Sequence, residues 1–241
     1  MATLVLVRHG RSTANTSGVL AGRTAGVHLD DVGRHQAERV AARLGGVPLV
    51  AVVTSPLQRC RETAAALLAA QATPPSVRVE RALNECDYGD WQGRSLRELA
   101  KDKLWRVVQQ QPSAVGFPGG ETMAQMQARA TAAVRRIDRE VTEAHGAGAV
   151  WVAVSHGDVI KAVLADALGL HLDLFQRIQV DPASASVVRY GDERPHVLGV
   201  NTHEGDLHWL AQRPRKGRGA RSTDVGGGAG PEPVSRPGGA A

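Results

Sequence analysis

The chain has 241 residues, 42% of them hydrophobic, and a formal net charge of +5, which allows one large domain or two small ones with a real core. No apolar run approaches the length of a membrane span, and two cysteines, Cys60 and Cys86, are too few for a disulfide framework or a four-ligand zinc site. The charge is not that of a nucleic-acid binder, because residues 213–241 carry +4 of it and residues 1–212 only +1.

In chain order, Leu4–Val7 is a short apolar run that ends in Arg8-His9-Gly10. It reads as a buried strand followed by a sharp glycine turn. No basic region precedes it, so it reads as neither signal peptide nor anchor, and the cytoplasm is the expected location. Asp30 or Asp31 caps a helix expected to reach about Leu44, where Gly45-Gly46 stop it. A second strand, Val50–Val53, leads through Thr54-Ser55 to Pro56, placed in the first turn of a helix running to about Ala70. Val77–Glu80 is a third strand. Ser95 with Glu98, and Thr122 with Gln125, are capping-box patterns, each opening a helix. The second of these is long and carries Met126, Ala130, Ala133, Ile137 and Val141 on one face. Val150–Val154 is a fourth strand, Gly157–Leu168 a helix, Ser186–Tyr190 a fifth strand and His196–Val200 a candidate sixth.

This alternation predicts an α/β fold, a three-layer αβα sandwich on a mainly parallel sheet of five to six strands. The domain is expected over residues 1–212. Residues 213–241, with eight glycines and four prolines, are expected to be a disordered basic tail with at most a nonspecific attraction to nucleic acid.

Polar residues follow four of the apolar strands: Arg8-His9-Gly10, Ser55 to Arg59, Asn84-Glu85 and Ser155-His156-Gly157. In a parallel sheet these ends share one edge, so two histidines, two arginines and a glutamate converge on one pocket. Such a set suits phosphoryl transfer, which needs a nucleophile, cations for the equatorial oxygens and a proton for the leaving group. His9 is the candidate nucleophile, with Arg8, Arg59 and a charged His156 expected to keep it neutral and to bind the anion. Glu85 is the candidate proton donor. No metal or cofactor is required. A rival serine-hydrolase reading, with Ser155 beside His9 or His156, is weakened because the chain has no Gly-x-Ser-x-Gly elbow. Cys60 and Cys86 sit next to candidate site residues, where redox control is one reading and half-buried packing the favoured one.

Taken together, Leu-Val-Arg-His-Gly with Asn15, Ser-Pro-Leu-Gln-Arg, Leu-Asn-Glu-Cys-Asp-Tyr-Gly-Asp-Trp-Gln-Gly, Pro-Gly-Gly-Glu-Thr and Val-Ser-His-Gly, in this order, resemble the histidine phosphatase, or phosphoglycerate mutase-like, superfamily over residues 3 to 205. The resemblance implies that His9 becomes phosphohistidine, that Arg8, Arg59 and His156 form the phosphate pocket with Asn15 and Gly22, and that Glu85 donates the proton. Arg11 and Gln92 stand where that family often has glutamate, neither at a core catalytic position. Arg11, Arg23 and Arg94 are placed at the rim, where they would favour a second anionic group. Only 70 residues separate Glu85 from His156, fewer than in the glycolytic mutases. The expected activity is that of a metal-independent phosphomonoesterase on a small phosphorylated substrate. A phosphoglycerate mutase-type phosphomutase and a non-catalytic phospho-ligand binding module are the alternatives, and a homodimer is left open.

Overall fold

A computed structural model describes residues 2–191 and 193–211 of the chain. Six strands form one sheet: β1 Thr3–Arg8, β2 Leu49–Thr54, β3 Ser76–Val79, β4 Val150–Ser155, β5 Ala185–Tyr190 and β6 Pro195–Thr202. Their order is β3-β2-β4-β1-β5-β6. The pairs β1–β4, β2–β3 and β2–β4 are parallel, whereas β1–β5 and β5–β6 are antiparallel. The antiparallel end follows from chain length: β5 and β6 are joined too closely for a crossover, so they form a hairpin.

Helices cover both faces: α1 Asp31–Leu44, α2 Gln58–Ala69, α3 Lys103–Gln110, α4 Met123–His145 and α5 Gly157–Ala167. Alternation along the strands separates the two cores. Leu4 and Leu6 of β1, Ala51 and Val53 of β2, and Trp151 and Ala153 of β4 pack with α4 and α5. Val5, Val7, Val52, Val150, Val152 and Val154 point the other way, toward α1 and α2. This is the expected three-layer sandwich. The edge strand β3 is exposed along its length, with Val77 at 55% and Val79 at 52% exposure. Among the described residues no helix is long and apolar enough to cross a membrane.

Local signals held with three differences. Asp30 caps α1 by accepting from the Gly33 amide, and Thr122 with Gln125 closes a reciprocal capping box on α4. Pro56, expected in the first turn of α2, instead lies ahead of that helix, whose N-cap is Leu57 without a side-chain bond. Ser95 accepts from the Glu98 amide, but the helix it starts is the single turn Leu96–Leu99. The sequence reading did not anticipate α3, which starts at Asp102 as N-cap. The expected tail, residues 213–241, and the boundary at 212 lie outside the described residues.

Candidate active site

The ends of β1, β2 and β4 and the segment after β3 meet at one edge of the sheet, where the polar residues gather. Gly10 makes the exit from β1 possible, since a side chain there would collide with the backbone of Gly33. His9 is buried, and its Nδ1 lies 2.7 Å from the carbonyl oxygen of Gly10. A carbonyl can only accept, so Nδ1 carries the proton and Nε2 keeps its lone pair. Arg59 Nε donates to that Nε2 at 3.2 Å, consistent with the same tautomer.

Arg59 comes from the first turn of α2 and is 2% exposed. Its Nη2 donates to the Gly22 carbonyl at 2.8 Å and to His156 Nδ1 at 3.1 Å. His156 therefore carries its proton on Nε2, which lies 2.8 Å from Ser55 Oγ. Ser55 in turn donates to Asn84 Oδ1 at 3.3 Å. The two imidazole rings stand edge to face, 5.3 Å between centroids. His156 occupies the N-cap position of α5 with its side chain unused as a cap. Arg8 donates from Nη1 to the Val180 carbonyl at 2.7 Å. Two buried guanidinium nitrogens, Nε of Arg8 and Nη1 of Arg59, have no partner among the described residues.

Burial lowers the pKa of His9 well below the usual histidine range, and Arg59 and then Arg8 push it the same way. His156 is lowered well below that range too, by burial first and by Arg59 next. The charged His156 expected from the sequence is thus neutral in the free site. Full burial beside a guanidinium removes the reason for it to hold a proton, and His9 owes its neutrality to burial and the two arginines.

Glu85 follows the three-residue turn Arg81–Leu83 after β3. Its Oε1 accepts from the Cys86 amide at 3.0 Å and its Oε2 lies 3.9 Å from His156 Nδ1. Burial, then the nearby Asp158 carboxylate, raises its pKa to about 7, against the pull of Arg59, the Cys86 amide and Arg8. Asp158 is held by the Tyr88 hydroxyl at 2.7 Å. The cluster thus combines an unprotonated ring nitrogen, two fixed cations and a carboxyl that is part protonated near neutrality.

Of the seven residues singled out from the sequence, His9, Arg59, Glu85 and His156 meet through their side chains, and Arg8 lies near enough for its charge to act on His9, His156 and Glu85. Gly22, with φ +50°, joins them through its carbonyl on Arg59. Asn15 is exposed, and its Oδ1 is occupied by the amide and hydroxyl of Ser12 in a capping box. Its free Nδ2 is what it can offer an anion. Arg11 pairs with Asp30 at 2.7 Å, away from the cluster. Cys60 and Cys86 are fully buried rather than half-buried, and burial pushes the Cys60 thiol up to about 12. Ser155 Oγ donates to the Leu83 carbonyl at 2.8 Å, which commits its proton to a structural bond and removes the serine-nucleophile reading.

The sequence reading missed the supports. Arg129 of α4 donates to the carbonyls of Ala82, Asn84 and Glu85 at 2.7 to 3.0 Å. Arg23 also donates to the Glu85 carbonyl, at 2.9 Å. Glu121 binds both arginines and accepts from the Asp87 amide. The sequence places Arg23 at the rim and marks Glu121 by the Pro-Gly-Gly-Glu segment, but identifies neither as a support, and Arg129 carries no sequence signal.

Comparison with known proteins agrees with this geometry. A family model described as histidine phosphatase superfamily (branch 1) matches residues 4–203. Phosphoserine phosphatase 1 of Hydrogenobacter thermophilus is 31% identical over 217 residues, covering 88% of this chain and 99% of that protein. The 2,3-bisphosphoglycerate-dependent phosphoglycerate mutase 2 of Gloeobacter violaceus is 31% identical over 185 residues, covering 75% and 82%. The solved structure of a mycobacterial glucosyl-3-phosphoglycerate phosphatase with VO3 superposes with a TM-score of 0.74 at 26% identity, covering 83% of this chain and 98% of the other. A match across nearly the whole described region, with phosphatases and a phosphomutase among the relatives, leads to one conclusion: the chain is an enzyme that belongs to the histidine phosphatase superfamily.

Proposed function

We propose that the protein is a metal-independent phosphomonoesterase acting on a small phosphorylated metabolite through a phosphohistidine at His9. The observation that carries this reading is the pair of buried, unpartnered guanidinium N–H groups on Arg8 and Arg59, two cations whose charge acts on His9, with Arg59 bonded to the lone pair of His9 Nε2. A buried donor without an acceptor costs about 1–3 kcal/mol, and a phosphoryl dianion is the acceptor whose charge and oxygens suit two arginines.

In the first step the Nε2 lone pair of His9 attacks phosphorus and the P–O ester bond breaks. The proton on Glu85 passes to the leaving oxygen, giving an alcohol, phosphohistidine and the Glu85 carboxylate. In the second step that carboxylate takes a proton from water as its oxygen attacks phosphorus. The P–N bond breaks, its electron pair returns to Nε2, and phosphate leaves with Glu85 protonated again. Arg8, Arg59 and His156 hold the phosphoryl oxygens throughout, and the dianion opposes the burial that keeps His156 neutral. Gly22 holds Arg59 in place, and Asn15 supplies an amide donor at the rim. Two free cysteines are in keeping with a cytoplasmic enzyme.

A phosphomutase differs only in the second acceptor, a hydroxyl of another substrate in place of water, and the similarity to a phosphoglycerate mutase supports it as the second reading. Turnover of a panel of phosphoglycerates, sugar phosphates and phosphoserine in the presence of chelator tests the proposal. Release of inorganic phosphate is expected. Transfer to a second hydroxyl with little free phosphate would select the mutase, and no turnover by any phosphomonoester would overturn both.

A further inference from the structure

The antiparallel hairpin β5–β6 is irregular. Between the pairs Ala185–Thr202 and Val187–Gly199, β6 holds one residue more than β5, which makes a bulge. Asn201 lies in this bulge at φ +54°, and Ala183, on the turn entering β5, is at φ +56°. Among the described residues these are the two non-glycine residues with positive φ, a region that asparagine tolerates better than most side chains. Bulges re-aim side chains. Here the side-chain amide of Asn201 faces Asp181: its Oδ1 accepts from the Asp181 amide at 2.7 Å, and its Nδ2 donates to the Asp181 carboxylate at 2.8 Å. The backbone amide of Asn201 is held separately, by Ser186 Oγ at 3.0 Å.

The Asp181 amide and the Val180 carbonyl belong to one peptide group. Its N–H goes to Asn201, and its C=O accepts from Arg8 Nη1 at 2.7 Å. A peptide group is planar and rigid, so a side chain that fixes one end fixes the other. Among the described residues the Arg8 guanidinium has no other hydrogen-bond acceptor, and its Nε is buried without a partner. The same turn also grips the backbone of the site: the Ala183 amide donates to the carbonyls of Arg8 and His9, at 3.1 and 3.2 Å, and the Ser184 carbonyl accepts from the Arg8 amide at 3.2 Å. The guanidinium itself lies against Gly157, the neighbour of His156, where a Cβ would stand 3.5 Å from its Cζ and Nε.

We propose that Asn201 is a positioning residue for the phosphoryl site: through the Val180–Asp181 peptide it holds the Arg8 guanidinium in place before an anion arrives. The inference rests on the reading of the His9 cluster as that site. Asn201 touches none of the cluster side chains and acts only through Arg8. A guanidinium ordered in advance spends less of its binding energy on its own rotamers, so the anion binds more tightly. The Asp181 carboxylate also accepts from Gln179 Nε2 at 2.6 Å and lies 3.2 Å from His203 Nε2. The turn therefore keeps anchors of its own when the Asn201 side chain is removed, and what is lost is the grip on the peptide plane.

The test is a double-mutant cycle of Asn201→Gly with Arg8→Ala. Glycine keeps the positive φ and removes only the side chain. Two quantities are read on all four proteins: the affinity for inorganic phosphate, by 31P NMR titration, and the pH titration of the His9 ring in the free protein, by 15N NMR. Asn201→Gly should weaken phosphate binding about tenfold, the effect of one hydrogen bond to a binding cation. It should also move the His9 titration upward, because a loosened Arg8 opposes the imidazolium less. In the Arg8→Ala background it should change neither. A merely structural role for Asn201 would act alike with and without Arg8. Both readouts are taken on folded protein, so a loss of stability does not mimic the effect. Absence of phosphate binding by the wild type would be a failure of the phosphoryl-site reading, and the His9 titration then decides the link from Asn201 to Arg8 by itself. Equal effects in the two backgrounds, or a His9 titration and a phosphate affinity both unmoved by Asn201→Gly, would overturn the proposal.

Discussion

Glu85 sits between opposing influences, and its behaviour is the most exposed part of the account. Burial and Asp158 raise its pKa to about 7, so near neutrality it is divided between acid and carboxylate. In its proposed role as leaving-group acid it acts only when protonated, so kcat/KM for an alkyl phosphate should fall as pH rises through about 7. Asp158→Asn removes a raising charge and should move that descending limb to lower pH; an unmoved limb would separate Asp158 from Glu85. Glu85→Gln should slow alkyl phosphates at least 100-fold, in the range typical of general acids, and nitrophenyl phosphate much less, because nitrophenolate leaves without a proton. The same substitution bears on stability. The folded pKa of Glu85 lies above its ordinary 4.5, so between those values the folded state holds more protons and stability falls as pH rises. Denaturant titrations should find Glu85→Gln equal to wild type near pH 4 and more stable by up to about 3 kcal/mol at pH 8. A gain that does not grow with pH would show that the carboxylate is not buried at a cost.

Elements set where these residues stand, and the segment around Glu85 has no regular structure of its own beyond two short turns. It is fixed from outside by Arg129 on α4 and by Arg23, joined through Glu121. Arg129→Ala should cost on the order of 2 kcal/mol of stability, given three charged bonds to part-buried carbonyls. It should also reproduce the leaving-group dependence of Glu85→Gln in milder form. A loss equal for alkyl and nitrophenyl phosphates would reduce Arg129 to a structural role. Little of this clamp was legible in the sequence. Arg129 meets Ala82, Asn84 and Glu85 more than forty positions away, through carbonyls that every residue possesses. The strands were legible because apolar, β-branched runs such as Leu4–Val7 and Val150–Val154 are buried on both faces. The helix Lys103–Gln110 was not, since its eight residues give barely two turns of periodicity. Pro56 was misplaced because a proline ahead of a helix and one in its first turn look alike until the backbone is seen. The five central site residues were legible from their positions after strands, because a parallel sheet brings such positions to one edge. The protonation of His156 was not, because its burial is a property of the packed molecule.

At the scale of the whole molecule, the sheet order β3-β2-β4-β1 brings residues from positions 8 to 156 to one edge. The named site residues all fall within the matched residues 4–203. Residues 213–241 hold +4 of the net charge of +5. Removing them should leave turnover of a small phosphomonoester unchanged while abolishing salt-sensitive retention on an anionic matrix; a large fall in turnover would place the domain boundary elsewhere. The central claim is the covalent intermediate on His9, whose Nε2 is held unprotonated between burial and two arginines. Rapid acid or base quench of the enzyme turning over a 32P-labelled phosphomonoester tests it most directly. The account predicts a label on His9 that survives base and is lost in acid, and that is absent from His9→Ala together with turnover. A label on another residue, or full turnover by His9→Ala, would contradict it.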